Sequence, residues 1–426
     1  RKLRFADLTG SYKAKGGFFA GKSVALCVSD INTALPILCA LDGVAKDVAL
    51  FSVGHKPDVV CSLLDHLSSD VLFADNPEDF TAKLGGVSVY RSVEDCPDAP
   101  ASDAASGLQT RWILTTSGTT GVPKLVSHTL DGLTRTTRIR KSVQAEVVWG
   151  LLYDYARFAG LQVVLQSVLS GSRLVCPADE APLKKRLRFL KDSGCSHLSA
   201  TPTMWRKIVM TPPGTELQLR QITLGGEIAD DTILQALARD YPEARISHIF
   251  ASTEAGVGFS VTDGKAGFPV EFLENCPSGI EINVRDGQLW VKNTHVADAY
   301  IGSNEVVAEN SWVDTGDSVE IKDGRVRFLG RASGVINVGG NKVHPETVEA
   351  EILKFSGVRL ARVYAKSNPF TGALVMADVV GDWSDPDKGK QDLKIFLRAS
   401  LENYMVPARI KVVDGLGENI AGKLTR

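Results

Sequence analysis

The stretch that decides the fold reads Thr115-Thr116-Ser117-Gly118-Thr119-Thr120-Gly121-Val122-Pro123-Lys124. It follows an apolar run, Trp112-Ile113-Leu114, of the kind that a buried strand supplies. Its glycines let backbone amides approach an anion closely, its hydroxyls can donate to phosphate oxygens, and Lys124 adds a flexible positive charge. A Ser/Thr-rich turn that caps a helix is the simpler interpretation. The concentration of all three features in one short segment favours a polyphosphate-binding loop.

This loop differs from the P-loop of nucleoside triphosphatases, in which Gly-Lys is followed by Ser or Thr at the start of a helix. Here Pro123 precedes Lys124, and Leu125 follows it. The segment instead resembles the phosphate loop of the adenylate-forming superfamily, which comprises acyl-CoA synthetases, adenylation domains of peptide synthetases, and luciferases. If the resemblance holds, the rest of the chain should carry the partner motifs of that superfamily.

Length and composition bound the class of protein. The chain has 426 residues, 44% of them hydrophobic, so two or more domains are expected. The formal net charge of −2 gives no indication of a nucleic-acid or membrane-surface partner. No apolar run reaches the roughly 18–20 residues that span a bilayer. The seven scattered cysteines form no Cys-x-x-Cys pair, which favours reduced thiols in the cytoplasm.

The order of the predicted elements indicates the fold class. Strands predicted at residues 23–28, 48–53 and 70–74 alternate with helices, which is typical of parallel sheets with crossover connections. We predict a helix over residues 133–147 and an apolar core helix over residues 158–169. Residues 279–331 predict a small β subdomain, because short alternating strands are separated by turns such as Asp-Gly.

Small residues around Arg331, from position 330 to position 334, predict a hinge. Beyond it we predict helices over residues 345–354 and 388–401, and strands over residues 361–365, 373–380 and 409–413. The predicted fold is therefore α/β: a large N-terminal domain over residues 1–331, with stacked, mostly parallel sheets and the small β subdomain, and a small α+β C-terminal domain over residues 332–426.

Two predicted strands end in polar groups where a nucleotide would bind, since ligands of open α/β sheets lie at the carboxyl ends of strands. They are residues 222–227, ending in Gly225-Gly226-Glu227, and residues 246–254, ending in Thr253-Glu254. The superfamily resemblance implies that the glycine pair and Glu227 line the adenine and acyl site, and that Phe250 stacks on adenine. It also implies that Thr253 binds phosphate and that Glu254 binds Mg²⁺.

Three further segments match the superfamily in the expected order. The resemblance implies that Asp317 holds the ribose hydroxyls, that Arg331 contacts ribose and phosphate, and that Lys423 bridges the carboxylate and the α-phosphate. Gly339 and Gly340 would line a tunnel for pantetheine after rotation of the C-terminal domain, which makes that domain a mobile lid. The remaining residues predicted to bind nucleotide lie in the phosphate loop: Thr116, Ser117, Gly118, Thr119, Thr120, Gly121 and Lys124.

The chemistry explains these residue types. A carboxylate attacks the α-phosphate of ATP and releases pyrophosphate, so two anions must meet, and Mg²⁺, Lys124 and Lys423 compensate their charge. The acid is already ionised near neutral pH, so no protein nucleophile or general base is required. Positioning and charge therefore account for the rate.

Several alternatives stay open from the sequence. The thiol acceptor is either coenzyme A or the phosphopantetheine of a carrier protein, and the acid itself is not indicated. Asp154 lies where amino-acid activators place an aspartate that pairs with the substrate amine, although a capping role is the simpler interpretation. Ala251 and Ser333 depart from the superfamily pattern, so a non-catalytic nucleotide- or acyl-binding protein remains an alternative.

Overall fold

A computed structural model of the chain describes residues 15–99, 108–116, 123–137, 139, 144–178, 181–292, 300–302 and 308–417. The first sheet has the strand order β4-β3-β1-β2-β5-β6. Its pairs are parallel except β5 with β6, which run antiparallel on either side of the phosphate loop. Its elements are α1 (Gly16–Phe19), β1 (Ser23–Cys27), α2 (Ile31–Leu41), β2 (Asp47–Leu50), α3 (Pro57–Leu67), β3 (Val71–Ala74), α4 (Glu78–Thr81), β4 (Ser88–Tyr90), β5 (Arg111–Thr115) and β6 (Leu125–His128).

The second sheet has the order β12-β11-β10-β9-β7-β8 and is parallel except for β11 with β12. The core helix α6 packs in one apolar cluster with residues of β1, β2 and β3, and so joins the two sheets. The elements are α5 (Leu130–Thr134), β7 (Gln144–Leu151), α6 (Phe158–Leu169), β8 (Ser172–Val175), α7 (Leu183–Asp192), β9 (His197–Ala200), α8 (Pro202–Met210), β10 (Gln221–Gly225), α9 (Asp231–Asp240), β11 (Arg245–Ser252) and β12 (Gly256–Val261).

The helix predicted over residues 133–147 is wrong. α5 ends at Thr134, and residues 144–151 form strand β7 instead. Val147, Val148 and Trp149 are β-branched or aromatic residues, which pack well on a pleated sheet. Pairing of β7 with both β8 and β9 outweighs the local helical tendency of the arginine-rich stretch before it.

A third, antiparallel sheet confirms the predicted β subdomain. Its order is β13-β17-β16-β15-β14. Asp286 and Asp323 adopt positive φ angles of 50° and 51° in tight Asp-Gly turns, as the sequence predicts for hairpins. The strands are β13 (Phe268–Pro269), β14 (Glu281–Arg285), β15 (Gln288–Lys292), β16 (Trp312–Lys322) and β17 (Arg325–Arg331).

The residues after β17 form a fourth sheet with its own apolar core, so the chain has the predicted α/β and α+β parts. The predicted boundary after residue 331 stays a prediction. The elements are β18 (Ile336–Val338), β19 (Asn341–Val343), α10 (Pro345–Ile352), β20 (Val358–Asn368), β21 (Gly372–Gly381), α11 (Pro386–Ser400) and β22 (Arg409–Val412). Within the described ranges, no helix has the length and apolar character needed to cross a bilayer.

A small apolar contact joins this last sheet to the second sheet's helices. Met210, at the end of α8, packs with Leu360, Val380, Val413 and Leu416, and we call these five residues the Met210 cluster. A separate contact joins the last part of the chain to the third sheet: the Thr347 hydroxyl donates to the carbonyl oxygen of Leu329 at 3.2 Å.

Candidate active site

One cavity of about 870 Å³ lies at the carboxyl ends of strands from the first two sheets. Parallel sheets place their ligand sites at this edge, because crossover connections leave the strand ends open there. The wall is assembled from stretches that are far apart in sequence: residues 28–32, 52–54, 149–166, 199–204, 223–226 and 249–260 contribute to it. Thr115, at the end of β5, also lines it.

The two ends of the phosphate loop are held together. The amide of Thr116 donates to the carbonyl oxygen of Lys124 at 2.9 Å, and the amide of Lys124 donates to the Thr116 hydroxyl at 3.2 Å. The Lys124 ammonium lies 4.8 Å from the centre of the Tyr300 ring. The loop residues predicted to bind phosphate, Ser117, Gly118, Thr119, Thr120 and Gly121, lie outside the described residues.

The glycine pair lies where the sequence predicts it. Gly225 and Gly226 line the cavity, and Gly226 has a φ of 81°, which favours glycine. The next residue, Glu227, accepts a hydrogen bond from the amide of Thr203 at 2.9 Å. Its carboxylate therefore satisfies a free amide at the start of α8, beside the cavity.

The end of β11 alternates between the cavity and an aromatic core. Ile249 and Ala251 line the cavity, whereas the Phe250 ring lies nearly parallel to the rings of Phe259 and Phe328, with interplanar angles of 16° and 9°. Among the described residues, Phe250 is therefore not part of the cavity wall. Its stacking on adenine stays a prediction.

Thr253 lines the cavity immediately after β11, and Glu254 follows it in the turn, half-buried. Within the described ranges, no group of three or more His, Cys, Asp or Glu side chains is placed to hold a metal ion. Mg²⁺ bound together with a nucleotide usually needs only one or two carboxylates, since phosphate oxygens and water complete its shell. Glu254, next to Thr253 at the cavity, fits that requirement.

The residues predicted to bind ribose are brought together in the third sheet. Asp317 and Arg331 are direct partners across β16 and β17, and an Arg331 Nη1 lies 3.2 Å from an Asp317 Oδ1. The same nitrogen donates to the carbonyl oxygen of Thr315 at 2.6 Å. This pairing fixes the guanidinium beside the carboxylate. In the described part of the chain, neither residue lines the cavity.

Among the described residues of the C-terminal domain, none lines the cavity. Gly339 and Gly340 form the exposed turn between β18 and β19, and the described cavity-lining residues all precede residue 279. Lys423 lies outside the described residues. In this orientation the glycine turn is therefore not part of the cavity wall.

Asp154 is held by its own turn. One oxygen accepts a hydrogen bond from the Ala156 amide at 2.9 Å, and the other lies 3.9 Å from Nε of Arg157. These contacts support the capping interpretation of Asp154. They do not favour pairing with a substrate amine, because Arg157 already compensates the charge.

Several wall residues were missed in the sequence. The helix predicted as a core helix, α6, has one face on the cavity, including Gln162 and Gln166. Two glutamines four residues apart share one helix face, and this spacing in an apolar helix was the available signal. Arg157 and Met204 also line the cavity, and no sequence motif marked them.

Burial keeps His128 and Tyr153 uncharged near neutral pH. It lowers the pKa of His128 to about 4 and raises the pKa of the Tyr153 hydroxyl well above its usual range, with the Glu227 charge adding to the latter effect. The site therefore offers hydrogen bonds and fixed charges rather than a general base near neutral pH.

Comparison with known proteins identifies the family. The model of the AMP-binding enzyme family matches residues 44–301, and the model of the AMP-binding enzyme C-terminal domain matches residues 347–423. The first match alone covers more than half of the chain.

The similar proteins include large synthases, of which this chain spans only a small part, and ligases, of which it spans most of the length. The chain is 23% identical over 395 residues to bacitracin synthase 3 of Bacillus licheniformis, covering 85% of this chain but only 6% of that protein. It is 28% identical over 341 residues to 2-succinylbenzoate–CoA ligase of Bacillus velezensis, covering 74% of this chain and 68% of that protein.

The fold is similar to that of a solved anthranilate CoA ligase, AuaEII, in complex with anthranoyl-AMP, with a TM-score of 0.82. The two chains are 18% identical, and the similarity covers 100% of this chain and 91% of that one. Together with the two family models and the cavity at the strand ends, this places the chain: it belongs to the AMP-binding enzyme family.

Proposed function

We propose that the chain activates a carboxylic acid with ATP and then forms a thioester. The acid oxygen attacks the α-phosphorus, the bond from this phosphorus to the oxygen that bridges it to the β-phosphorus breaks, and pyrophosphate leaves. The thiol then attacks the acyl carbon, and AMP leaves. The observation that carries this proposal is the single cavity in which Thr115, Gly225, Gly226 and Thr253 meet an apolar wall.

Different residues are proposed to bind different parts of ATP and the acid. We propose that the phosphate loop from Thr116 to Lys124 and Thr253 hold the phosphates, and that Glu254 holds Mg²⁺, whose charge stabilises the developing negative charge. Asp317 and Arg331 bind ribose, Phe250 the adenine, and Lys423 the reacting carboxylate and α-phosphate. Charge compensation by fixed groups is expected to supply most of the rate.

Coenzyme A is the acceptor that we propose first. The similar ligase proteins are named as coenzyme A ligases and match over most of their length. The contacts of Asp154 add a structural reason, because they disfavour the amine-binding role that amino-acid loading would require. Loading of an amino or aryl acid onto a carrier protein is the second candidate, supported by similarity to large synthases such as bacitracin synthase 3.

The test is pyrophosphate release from ATP over a panel of fatty, aryl, dicarboxylic and amino acids, with mass spectrometry of the acyl-AMP. We expect release with one acid class, and thioester formation when coenzyme A is added. Transfer only to a phosphopantetheine-bearing carrier protein would select the second candidate. Tight ATP binding without pyrophosphate release, with every class, would instead support a non-catalytic binding protein.

We also propose that the protein works in the cytoplasm. All seven cysteines are free thiols in the structure, and Cys27, Cys96, Cys195 and Cys276 are buried. Burial raises the pKa of Cys27 to about 12, which keeps that thiol protonated and unreactive. Localisation of a tagged full-length protein tests this, and thiol alkylation before and after denaturation should find all seven thiols reduced.

A further inference from the structure

A buried arginine in the cavity wall has no part in the adenylation chemistry described above. Arg157 follows β7 and comes directly before α6, and its side chain is 13% exposed. It lines the cavity. A guanidinium is always charged and carries five donors, so its burial is unfavourable unless charge and hydrogen bonds are supplied.

The protein supplies Arg157 with only part of what it needs. Nε is buried and has no hydrogen-bond partner within the described ranges. The carboxylate of Asp154 lies 3.9 Å from this atom, which is too long for a hydrogen bond. Asp154 therefore offers a compensating charge but leaves the donor unsatisfied.

The neighbouring groups do not compete for the same role. Asp30 also lines the cavity, but its carboxylate accepts hydrogen bonds from Asn32 and Thr33 in its own turn. His55 lies near Arg157, whose charge and the burial of the ring lower the histidine pKa. A neutral His55 adds no charge, so Arg157 remains the cation of this part of the wall.

The start of α6 reinforces the positive character of this position. Arg157 is the N-cap residue of α6, and its side chain makes no capping hydrogen bond to the amides of the first turn. Phe158 and Ala159 of that turn line the cavity together with Arg157. Amides at a helix start attract an anion, so they add to the positive character of this part of the wall.

We propose that Arg157 binds a second carboxylate on the acid that is activated, so that the substrate is a dicarboxylic acid. This rests on the proposed function. A planar guanidinium pairs with a carboxylate through two parallel hydrogen bonds, and it repels an ammonium group. One carboxylate then reacts at the α-phosphorus, while the other stays ionised on Arg157. The phosphates of ATP have their own loop after β5.

The test compares acids that differ only in the second carboxylate: glutarate with pentanoate, and terephthalate with 4-methylbenzoate. We expect the wild type to prefer one diacid over its matched monoacid. Arg157→Gln should lower kcat/KM for that diacid about 30- to 100-fold, the range for loss of a charged hydrogen-bonding partner. The monoacid should change less than about twofold. Arg157→Lys keeps the charge but not the two parallel donors of the guanidinium, so it should recover part of the lost kcat/KM.

Arg186 provides a matched control. It also lines the cavity and its Nε is buried as well, but its Nη2 donates to the carbonyl oxygen of Leu152 at 3.2 Å, so the backbone already holds its guanidinium. Arg186→Gln should affect diacid and monoacid alike. Circular dichroism of each variant checks folding, and calorimetric binding of the diacid to Arg157→Lys gives a readout that does not depend on turnover.

Three results would overturn the proposal. If Arg157→Gln lowers activity with both acids equally, Arg157 serves the reacting carboxylate. If the same variant raises only the KM for ATP, Arg157 serves the phosphates. If the wild type activates monoacids and no diacid, the second carboxylate has no site, although the proposed adenylation stands. If no acid in the panel leads to pyrophosphate release, the proposed function itself is contradicted.

Discussion

His128 is a buried side chain whose protonation should limit stability at low pH. It is 3% exposed, and burial lowers its pKa to about 4, partly opposed by a hydrogen bond with the backbone of Thr253. In the unfolded chain the pKa is about 6.5, so the unfolded state binds the proton more readily. The stability is fully present above pH 6.5 and is lost as the pH falls toward 4.

The expected loss from this histidine is about 2 kcal/mol between pH 7 and pH 5. Urea denaturation of the wild type and of His128→Gln at both values measures it. The variant should lose about 2 kcal/mol less than the wild type over that interval. Equal losses would show that His128 is not held neutral in the folded chain.

Asp317 gives a second prediction for a single side chain. Asp317→Asn keeps the shape but removes the charge beside Arg331. We expect the KM for ATP to rise about tenfold, the usual effect of losing a charge-assisted hydrogen bond. Asp314→Asn is the control, because Asp314 is exposed in the same segment. An unchanged KM for ATP in Asp317→Asn would argue against the ribose role.

The two ends of the phosphate loop are joined by one side-chain and one backbone hydrogen bond, both between Thr116 and Lys124. The Thr116 hydroxyl accepts from the Lys124 amide, while the backbone bond from Thr116 to Lys124 holds the same two ends. Thr116→Val removes only the former. We expect the KM for ATP to rise about five- to tenfold, as loss of one hydrogen bond predicts. Thr116→Ser keeps the hydroxyl and should behave like the wild type. Equal effects of both variants would show that the hydrogen bond from the Lys124 amide to the Thr116 hydroxyl does not matter for ATP binding.

The sequence predicts elements well where one signal dominates. The Asp-Gly turns at Asp286 and Asp323 have the expected positive φ angles, because few other residues tolerate them. The helix over residues 345–354 and the strand over residues 409–413 also agree closely with α10 and β22. In each case local chemistry and tertiary packing favour the same structure.

Prediction fails where tertiary pairing decides. β7 replaces the predicted helix because two neighbouring strands pair with it. The cavity face of α6 and the place of Arg157 in the wall were missed for a similar reason. The sequence does not show that an apolar helix or a lone arginine lies at a cavity, because the cavity forms only where the ends of distant strands come together. A motif match also does not predict which neighbours a side chain packs against. Phe250 matches the superfamily motif, but in the structure its ring stacks on the rings of Phe259 and Phe328.

Across the complete chain, the Met210 cluster defines one relative orientation of the fourth sheet and the cavity-bearing sheets. The glycine turn at Gly339 and Gly340 is away from the cavity in this orientation. If thioester formation brings pantetheine past this turn, as the superfamily resemblance implies, we expect the orientation described here to serve adenylation.

Met210→Asp places a charge in this apolar contact and should disfavour the orientation. We expect adenylation, measured as pyrophosphate exchange, to slow about tenfold, corresponding to about 1.4 kcal/mol. Thioester formation from a preformed acyl-adenylate should change little. The control is Ile395→Asp, since Ile395 is 65% exposed on α11. Equal slowing of both half-reactions in Met210→Asp would contradict the assignment.

The described cavity wall comes entirely from residues before 279, and the fourth sheet folds around a core of its own. We therefore expect the choice of acid and the choice of thiol acceptor to be encoded in separable parts of the gene. Exchanging the segment after Arg331 with that of a relative would transplant acceptor preference into this protein while leaving its acid unchanged, so new ligases could be assembled by recombination at a single junction.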